Sequence, residues 1–219
     1  MDNLNKYIDQ TILDPAATKT DIMQFLKQVE KYDFYAGVVN PCWVSLARRV
    51  LPTHIKVCSV VGFPLGASST KVKVFAAQDL LSAGCDEIDM VLNIGQLISR
   101  DFKYVGEEIR AVVNVAENRI VKVIIETCLL DDELKKAAAR IIMDSGAHFV
   151  KTSTGFSKKG VNLKDIQLLR QTIGSALLIK ASGGIRDYTF VMDLIKAGAD
   201  RIGTSAGVKI LNRCRTMSK

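Results

Sequence analysis

Two lysines end apolar runs and are followed at once by small residues: Phe149-Val150-Lys151-Thr152-Ser153-Thr154-Gly155 and Leu177-Leu178-Ile179-Lys180-Ala181-Ser182-Gly183-Gly184. A lysine amine attacks a carbonyl only when it is neutral, and a dry pocket with a second cation nearby lowers its pKa toward that state. Two lysines aimed into one pocket would meet both conditions. The plainer alternative for each is a solvated ammonium snorkelling from a strand end. Asp89, inside Ile88-Asp89-Met90-Val91-Leu92, is the third residue of interest. A buried carboxylate loses hydration that apolar neighbours cannot replace. It is either a structural ion pair with one of the lysines or an acid or base whose pKa they set. Asp86 and Glu87 read as surface groups at the start of that strand.

These residues need elements to hold them, and short apolar runs alternate with amphipathic stretches along the whole chain. The runs cover residues 6–13, 34–40, 55–62, 86–93, 120–127, 148–154, 176–182 and 200–204. Between them lie helical patterns such as Ile22, Phe25, Leu26 and Val29, spaced to share one buried face. Thr18 or Thr20, Asp131 and Asn162 supply helix-start signals. Runs such as Val121-Lys122-Val123-Ile124-Ile125 are apolar nearly throughout, as strands covered on both faces should be. Eight such βα units in 219 residues predict an α/β fold, a single (β/α)8 TIM barrel spanning residues 1–219 as one domain.

Three units share a finer repeat: Gly84-Cys85-Asp86-Glu87-Ile88-Asp89, Gly146-Ala147-His148-Phe149-Val150-Lys151 and Gly198-Ala199-Asp200-Arg201-Ile202-Gly203. Each glycine ends a helix, and the fifth residue beyond it falls on an even-numbered strand. Even strands feed the same interior layers of such a barrel, which predicts Asp89, Lys151 and Gly203 at one height around the lumen. Lys180, from the seventh strand, reaches the same space. Gly183-Gly184 and Gly203-Thr204-Ser205-Ala206-Gly207 follow or lie on strands 7 and 8, where barrels often bind phosphate through backbone N–H groups. Thr152-Ser153-Thr154-Gly155 can add to such a site, although a glycine pair also simply makes a tight turn. Asp9 and Thr11 either orient a substrate hydroxyl or cap a turn before Pro15, and Glu126 and Thr127 stay unassigned. Trp43 reads as helix packing.

Composition narrows the function classes. The formal net charge is +7, but basic and acidic residues alternate along helical faces without an arginine-rich block, which argues against nucleic acid. Positive charge would still favour the approach of a phosphorylated substrate. The five cysteines are scattered and lack a C-x-x-C pair, so reduced thiols in the cytoplasm are expected. His54 and His148 precede strands rather than follow them, which leaves neither a metal site nor Ser/His/Asp or Cys/His catalysis supported. The start, Met1-Asp2-Asn3-Leu4, lacks a signal region, and no apolar run is long enough to span a membrane. A homodimer or higher homo-oligomer is left open.

With these residues laid out, the chain resembles the deoxyribose-phosphate aldolase family of class I aldolases over nearly its whole length. The carriers are Asp9-Gln10-Thr11, Glu87-Ile88-Asp89-Met90-Val91, Lys122-Val123-Ile124-Ile125-Glu126-Thr127, Val150-Lys151-Thr152-Ser153-Thr154-Gly155-Phe156, Lys180-Ala181-Ser182-Gly183-Gly184-Ile185-Arg186 and Arg201-Ile202-Gly203-Thr204-Ser205. The resemblance implies reversible cleavage of 2-deoxy-D-ribose 5-phosphate to D-glyceraldehyde 3-phosphate and acetaldehyde, within deoxyribonucleotide catabolism. It implies that Lys151 forms a Schiff base, that Lys180 holds down its pKa, and that Asp89 joins the proton relay. It implies no metal or other cofactor, because the iminium itself is the electron sink. Residues after strands 6, 7 and 8, namely Thr154, Gly155, Gly183, Gly184, Gly203 and Ser205, would bind the phosphate. Gln10 and Asp14 stand where many relatives carry histidine and lysine, and Ala206 where a second serine is common; these departures are expected to touch the rim and the phosphate grip. Other readings of the same residues are a phosphosugar isomerase or epimerase with Asp89 as base, or a phosphate-binding protein without turnover.

Overall fold

The computed structural model describes residues 3–217. Residues 1, 2, 218 and 219 of the expected 1–219 domain lie outside the described residues. Eight strands, β1 (Ile8–Ile12), β2 (Ala36–Val39), β3 (Lys56–Val61), β4 (Glu87–Val91), β5 (Ile120–Ile124), β6 (Phe149–Lys151), β7 (Leu178–Ser182) and β8 (Arg201–Thr204), pair in parallel and in sequence order, with β8 closing on β1. Each falls within one of the expected apolar runs. The connections carry helices α1 (Lys19–Lys31), α2 (Val44–Val50), α3 (Thr70–Ser82), α4 (Ile94–Ile98), α5 (Phe102–Val115), α6 (Asp132–Asp144), α7 (Leu163–Ile173) and α8 (Tyr188–Lys196), and α9 (Gly207–Met217) follows β8. The fold is therefore a closed (β/α)8 barrel.

Local chemistry places the helix ends. Thr18 and Asp21 form a reciprocal cap at the start of α1, and the side chains of Asp131 and Asn162 accept from Leu134 and Asp165 N–H at the starts of α6 and α7. At the other ends Gly84, Gly146 and Gly198 adopt φ of +93°, +77° and +114°, conformations that a Cβ would strain. The buried faces of the helices then meet the outward residues of the strands. Ile88 and Met90 on β4, or Ile179 and Ala181 on β7, join this large sheet–helix core.

The strand register builds the interior. Stepping from β2 to β4 climbs two residues (Val38 opposite Cys58, then Val60 opposite Asp89). The same climb recurs from β4 to β6 (Asp89 opposite Lys122, Ile124 opposite Lys151), from β6 to β8 (Lys151 opposite Lys180, Ser182 opposite Gly203), and from β8 back to β2 (Gly203 opposite Asp9, Thr11 opposite Val38). This stagger places Val38, Asp89, Lys151 and Gly203 in one layer contributed by the even strands. Asp9, Cys58, Lys122 and Lys180 form the layer beneath, from the odd strands, and Ala36, Glu87, Phe149 and Arg201 the lowest. Barrels usually fill these layers with branched apolar side chains. Here two-thirds of the twelve positions are polar or ionisable, and only one sector, with Ala36, Val38, Cys58 and Val60 under Leu13, keeps a small apolar cluster.

Candidate active site

At the C-terminal mouth of the barrel a cavity of about 610 Å³ opens between the loops that follow β1, β6, β7 and β8. Among the described residues Lys151 is the one lysine that lines it, and its side chain is nearly covered, with 4 % of the residue exposed. Thr11, Thr154, Gly155, Gly183, Gly184, Gly203 and Ser205 line the same cavity. Asp89 and Lys180 lie directly beneath, both fully buried. Asp9 departs from expectation. It has no exposed surface and sits one layer down, in contact with the charged side chains of Lys180 and Arg201. The reason is strand alternation and stagger: Thr11, two residues further along β1, takes the place at the mouth.

Beneath the cavity the three layers form one charged network. Asp89 Oδ2 accepts from Lys151 Nζ at 2.7 Å and from Lys180 Nζ at 2.8 Å. Its other oxygen, Oδ1, accepts from Lys122 Nζ at 2.7 Å and from the Cys58 thiol at 3.2 Å. Lys180 also pairs with Asp9 Oδ2 at 2.5 Å, and Asp9 Oδ1 accepts from Arg201 at 3.0 Å. Lys122 pairs in turn with Glu87 at 2.7 Å, and Glu87 accepts from the Tyr35 hydroxyl at 3.0 Å. Glu87 was expected at the surface, but it is almost fully buried and belongs to this network. Its inward face follows from its sharing a strand side with Asp89, two residues on. Asp86, by contrast, is the partly exposed strand-start group expected, paired with Arg48 at 2.8 Å.

The network makes its members unequal. Burial alone would raise the Asp89 carboxyl, but Lys122, Lys151 and Lys180 together hold it well below the usual range. Asp9 is likewise pushed up by burial, yet Lys180, Lys122 and Arg201 bring it down to about 2. Lys180 loses stability as a cation through burial, but Asp89 and Asp9 more than restore it, and its pKa is raised. Lys122 behaves the same way, with Asp89 the largest of the groups that outweigh burial. Lys151 is the exception. Burial lowers its pKa, Asp89 pulls it back only in part, and Lys180 pushes it down again. The count of charges agrees: three carboxylates, Asp9, Glu87 and Asp89, face four cationic groups, Lys122, Lys151, Lys180 and Arg201. The network is neutral when one of the four sheds its proton, and Lys151 has the fewest carboxylate contacts of the three lysines.

The loops above are shaped by glycine. Gly183 and Gly184 have φ of +91° and +76°; a Cβ on Gly183 would meet Gly160 Cα at 3.0 Å, while one on Gly184 would meet nothing within 4 Å. Gly183 thus lets the β6 and β7 loops touch, joined by Val161 N–H donating to Gly183 O at 3.2 Å. Gly184 stays open toward the cavity. Arg186 and Asp14 also line it; Arg186 was not singled out from sequence beyond its place in a motif. Glu126, unassigned from sequence, accepts from Thr154 N–H at 3.2 Å and from its hydroxyl, which fixes the β6 loop. Gln10 is not at the rim. It is buried behind the β8 loop, donating to Ser205 O at 3.1 Å and accepting from Gly207 N–H at 2.9 Å. His148 lies ahead of β6, where its Nδ1 accepts from Val121 N–H, and His54 is exposed beside Asp33.

A buried lysine with a lowered pKa, one oxygen away from a second lysine, at the floor of a small-residue pocket defines a barrel suited to carbonyl chemistry through an amine. A family model described as DeoC/LacD family aldolase matches residues 4–213, and the chain belongs to that family. A deoxyribose-phosphate aldolase from Streptococcus mutans is 49% identical over 216 residues, covering 98% of each chain. Among solved structures, an aldolase designated QR15 superposes with a TM-score of 0.96 at 38% identity, covering 99% of this chain and 97% of its own. A deoxyribose phosphate aldolase from Aeropyrum pernix, described as a unique tetrameric structure, gives 0.89 at 34% identity, covering 98% of this chain and 92% of its own.

Proposed function

We propose that this chain is a class I aldolase that reversibly cleaves 2-deoxy-D-ribose 5-phosphate to D-glyceraldehyde 3-phosphate and acetaldehyde, with Lys151 as the Schiff-base lysine. The observation that carries the reading is the shared Asp89 Oδ2 between Lys151 and Lys180 at the cavity floor. In the synthetic direction the neutral Lys151 amine adds to the acetaldehyde carbonyl, and loss of water leaves an iminium. Asp89 lies within hydrogen-bond reach of both lysine nitrogens, so protons for these steps pass between Lys180 and the Lys151 adduct through one carboxylate oxygen. Removal of an α-proton gives the enamine, which attacks the aldehyde carbon of the second substrate. Water then releases the product and restores Lys151.

Thr154, Gly155, Gly183, Gly184, Gly203 and Ser205 hold the phosphate, with Thr11 toward the sugar and Arg186 adding charge at the mouth. Binding of the remote phosphate positions the aldehyde carbon over the enamine. Among the described residues no helix is long and apolar enough to cross a membrane. With five scattered cysteines and no C-x-x-C pair, the chain is assigned to the cytoplasm. Self-association as a homo-oligomer is expected by analogy with the tetrameric A. pernix relative. The test is reductive trapping with acetaldehyde and borohydride followed by peptide mapping. One ethyl group at Lys151 is the expected outcome; labelling at Lys180 reverses the roles, and no labelling removes the aldolase reading.

A further inference from the structure

Lys122 takes no part in the reaction just derived, yet it is the lysine most enclosed by the network. Its Nζ has no exposed surface and does not reach the cavity. It touches Asp89 Oδ1 at 2.7 Å, Glu87 Oε2 at 2.7 Å, the Cys58 sulfur at 3.4 Å and, more distantly, Asp9 Oδ2 at 3.9 Å. A full set of buried charges in the layers below a reaction centre is costly, and apolar side chains of the same volume would often stabilise such a core as well or better. The cluster therefore calls for a purpose other than holding the barrel together.

We infer that Lys122 is a positioning residue for the imine chemistry: by holding Asp89 through Oδ1, it leaves Oδ2 as the single oxygen shared by Lys151 and Lys180, and Glu87 beneath regulates the strength of that hold. The inference rests on the aldolase reading and extends it downward by one and two layers. The geometry is a chain of contacts, Glu87 to Lys122 to Asp89 to Lys151, that crosses three successive layers from the bottom of the lumen to the cavity floor. A carboxylate free to turn would offer either oxygen to either lysine. With Lys122 and the Cys58 thiol both fixed on Oδ1, that freedom is removed.

Electrostatics gives the contacts a direction. Charge that Lys122 donates to Asp89 weakens the pull of Asp89 on Lys151, and charge that Glu87 draws from Lys122 works the other way. The groups surrounding this chain come from six other strands and one strand approach: Asp9 from β1, Tyr35 just ahead of β2, Cys58 from β3, Glu87 and Asp89 from β4, and Lys151, Lys180 and Arg201 from β6, β7 and β8. Among the described residues only Lys122 bridges the lowest carboxylate to the one that touches Lys151.

The experiment measures the rate of acetaldehyde trapping at Lys151 against pH for the wild type, Lys122→Met, Glu87→Gln and the double variant, each checked for folding by circular dichroism. Removing the cation should move the rising limb of the profile up by about one pH unit, which is about tenfold in rate at a fixed pH below it. Glu87→Gln should move the limb down, and the double variant should return toward the wild type. Opposed shifts that cancel in the double variant cannot arise from damage to packing, which would hydrate Lys151 and move the midpoint up in every variant. Coincident midpoints, or shifts of the same sign in both single variants, would overturn the inference. Should Lys122→Met fail to fold, Glu87→Gln alone decides it, since an unmoved or raised limb there is equally fatal. If wild-type Lys151 is not labelled at all, the aldolase reading itself has failed, an outcome separate from unmoved midpoints in a labelled enzyme.

Discussion

Replacing Lys180 with methionine keeps most of its volume and deletes its charge, and the structure sets the size of the consequence. Lys151 and Lys180 approach the same Asp89 oxygen at 2.7 and 2.8 Å, so their nitrogens lie no more than 5.5 Å apart, the sum of those distances. Two unit charges at that separation repel by about 3 kcal/mol at an effective dielectric constant near 20, which is about two pK units. Lys180 acts downward on Lys151, so its loss lets the Lys151 pKa rise. Asp89, with one partner fewer, then pulls on Lys151 harder, in the same direction. Burial of Lys151, the largest cause of its lowered pKa, is unchanged by the substitution. The neutral amine is the reacting form, so the rising limb of imine formation with acetaldehyde should shift up by about two pH units. Below the wild-type limb, trapping should be about a hundredfold slower and should recover as the pH is raised. The assay is the initial rate of reductive ethylation at Lys151, read by mass spectrometry from about pH 6 to about pH 10. A Lys180→Met profile with an unmoved midpoint would show that desolvation alone activates Lys151. A downward shift would refute the electrostatic reasoning outright.

Other perturbations separate the phosphate grip and the buried charges. Gly184→Val should raise KM for deoxyribose 5-phosphate by at least about tenfold, the loss of a single charge-assisted hydrogen bond, because the new side chain projects from a glycine that is open to the cavity. Trapping of acetaldehyde, which carries no phosphate, should persist; wild-type KM in a folded variant would show the phosphate site to be misplaced. The acid limb of stability tests Asp9. Its carboxyl is lowered from 3.8 to about 2 in the folded chain, so its contribution of about 2–3 kcal/mol is complete above the unfolded pKa and is lost as the pH falls from about 5 through about 2. Urea unfolding of Asp9→Asn over that range should therefore vary less steeply with pH than the wild type by that amount, and parallel curves would count against the assignment.

The sequence by itself determined the barrel, because each βα unit carries its own local instructions. Apolar runs such as Val121–Ile125 specify strands covered on both faces, Thr18, Asp131 and Asn162 start helices, and Gly84, Gly146 and Gly198 end them. The repeat that begins at those glycines also fixed the shared layer of Asp89, Lys151 and Gly203, since register in a closed barrel is counted in residues. Lys122, Glu87 and Arg201 were printed in the same motifs but carried no local sign of their roles. A lysine in an apolar strand reads alike whether it faces solvent or three carboxylates, and only closure of the barrel brings β1, β4, β5 and β8 within contact of one another. The same closure set Asp9 in the interior and took Glu87 from the expected surface to the core. Which of two similar lysines loses its proton was likewise a tertiary outcome. Lys180 meets two carboxylates and Lys151 meets one, and that difference of a single neighbour, contributed by the first strand, is what leaves Lys151 the weaker base.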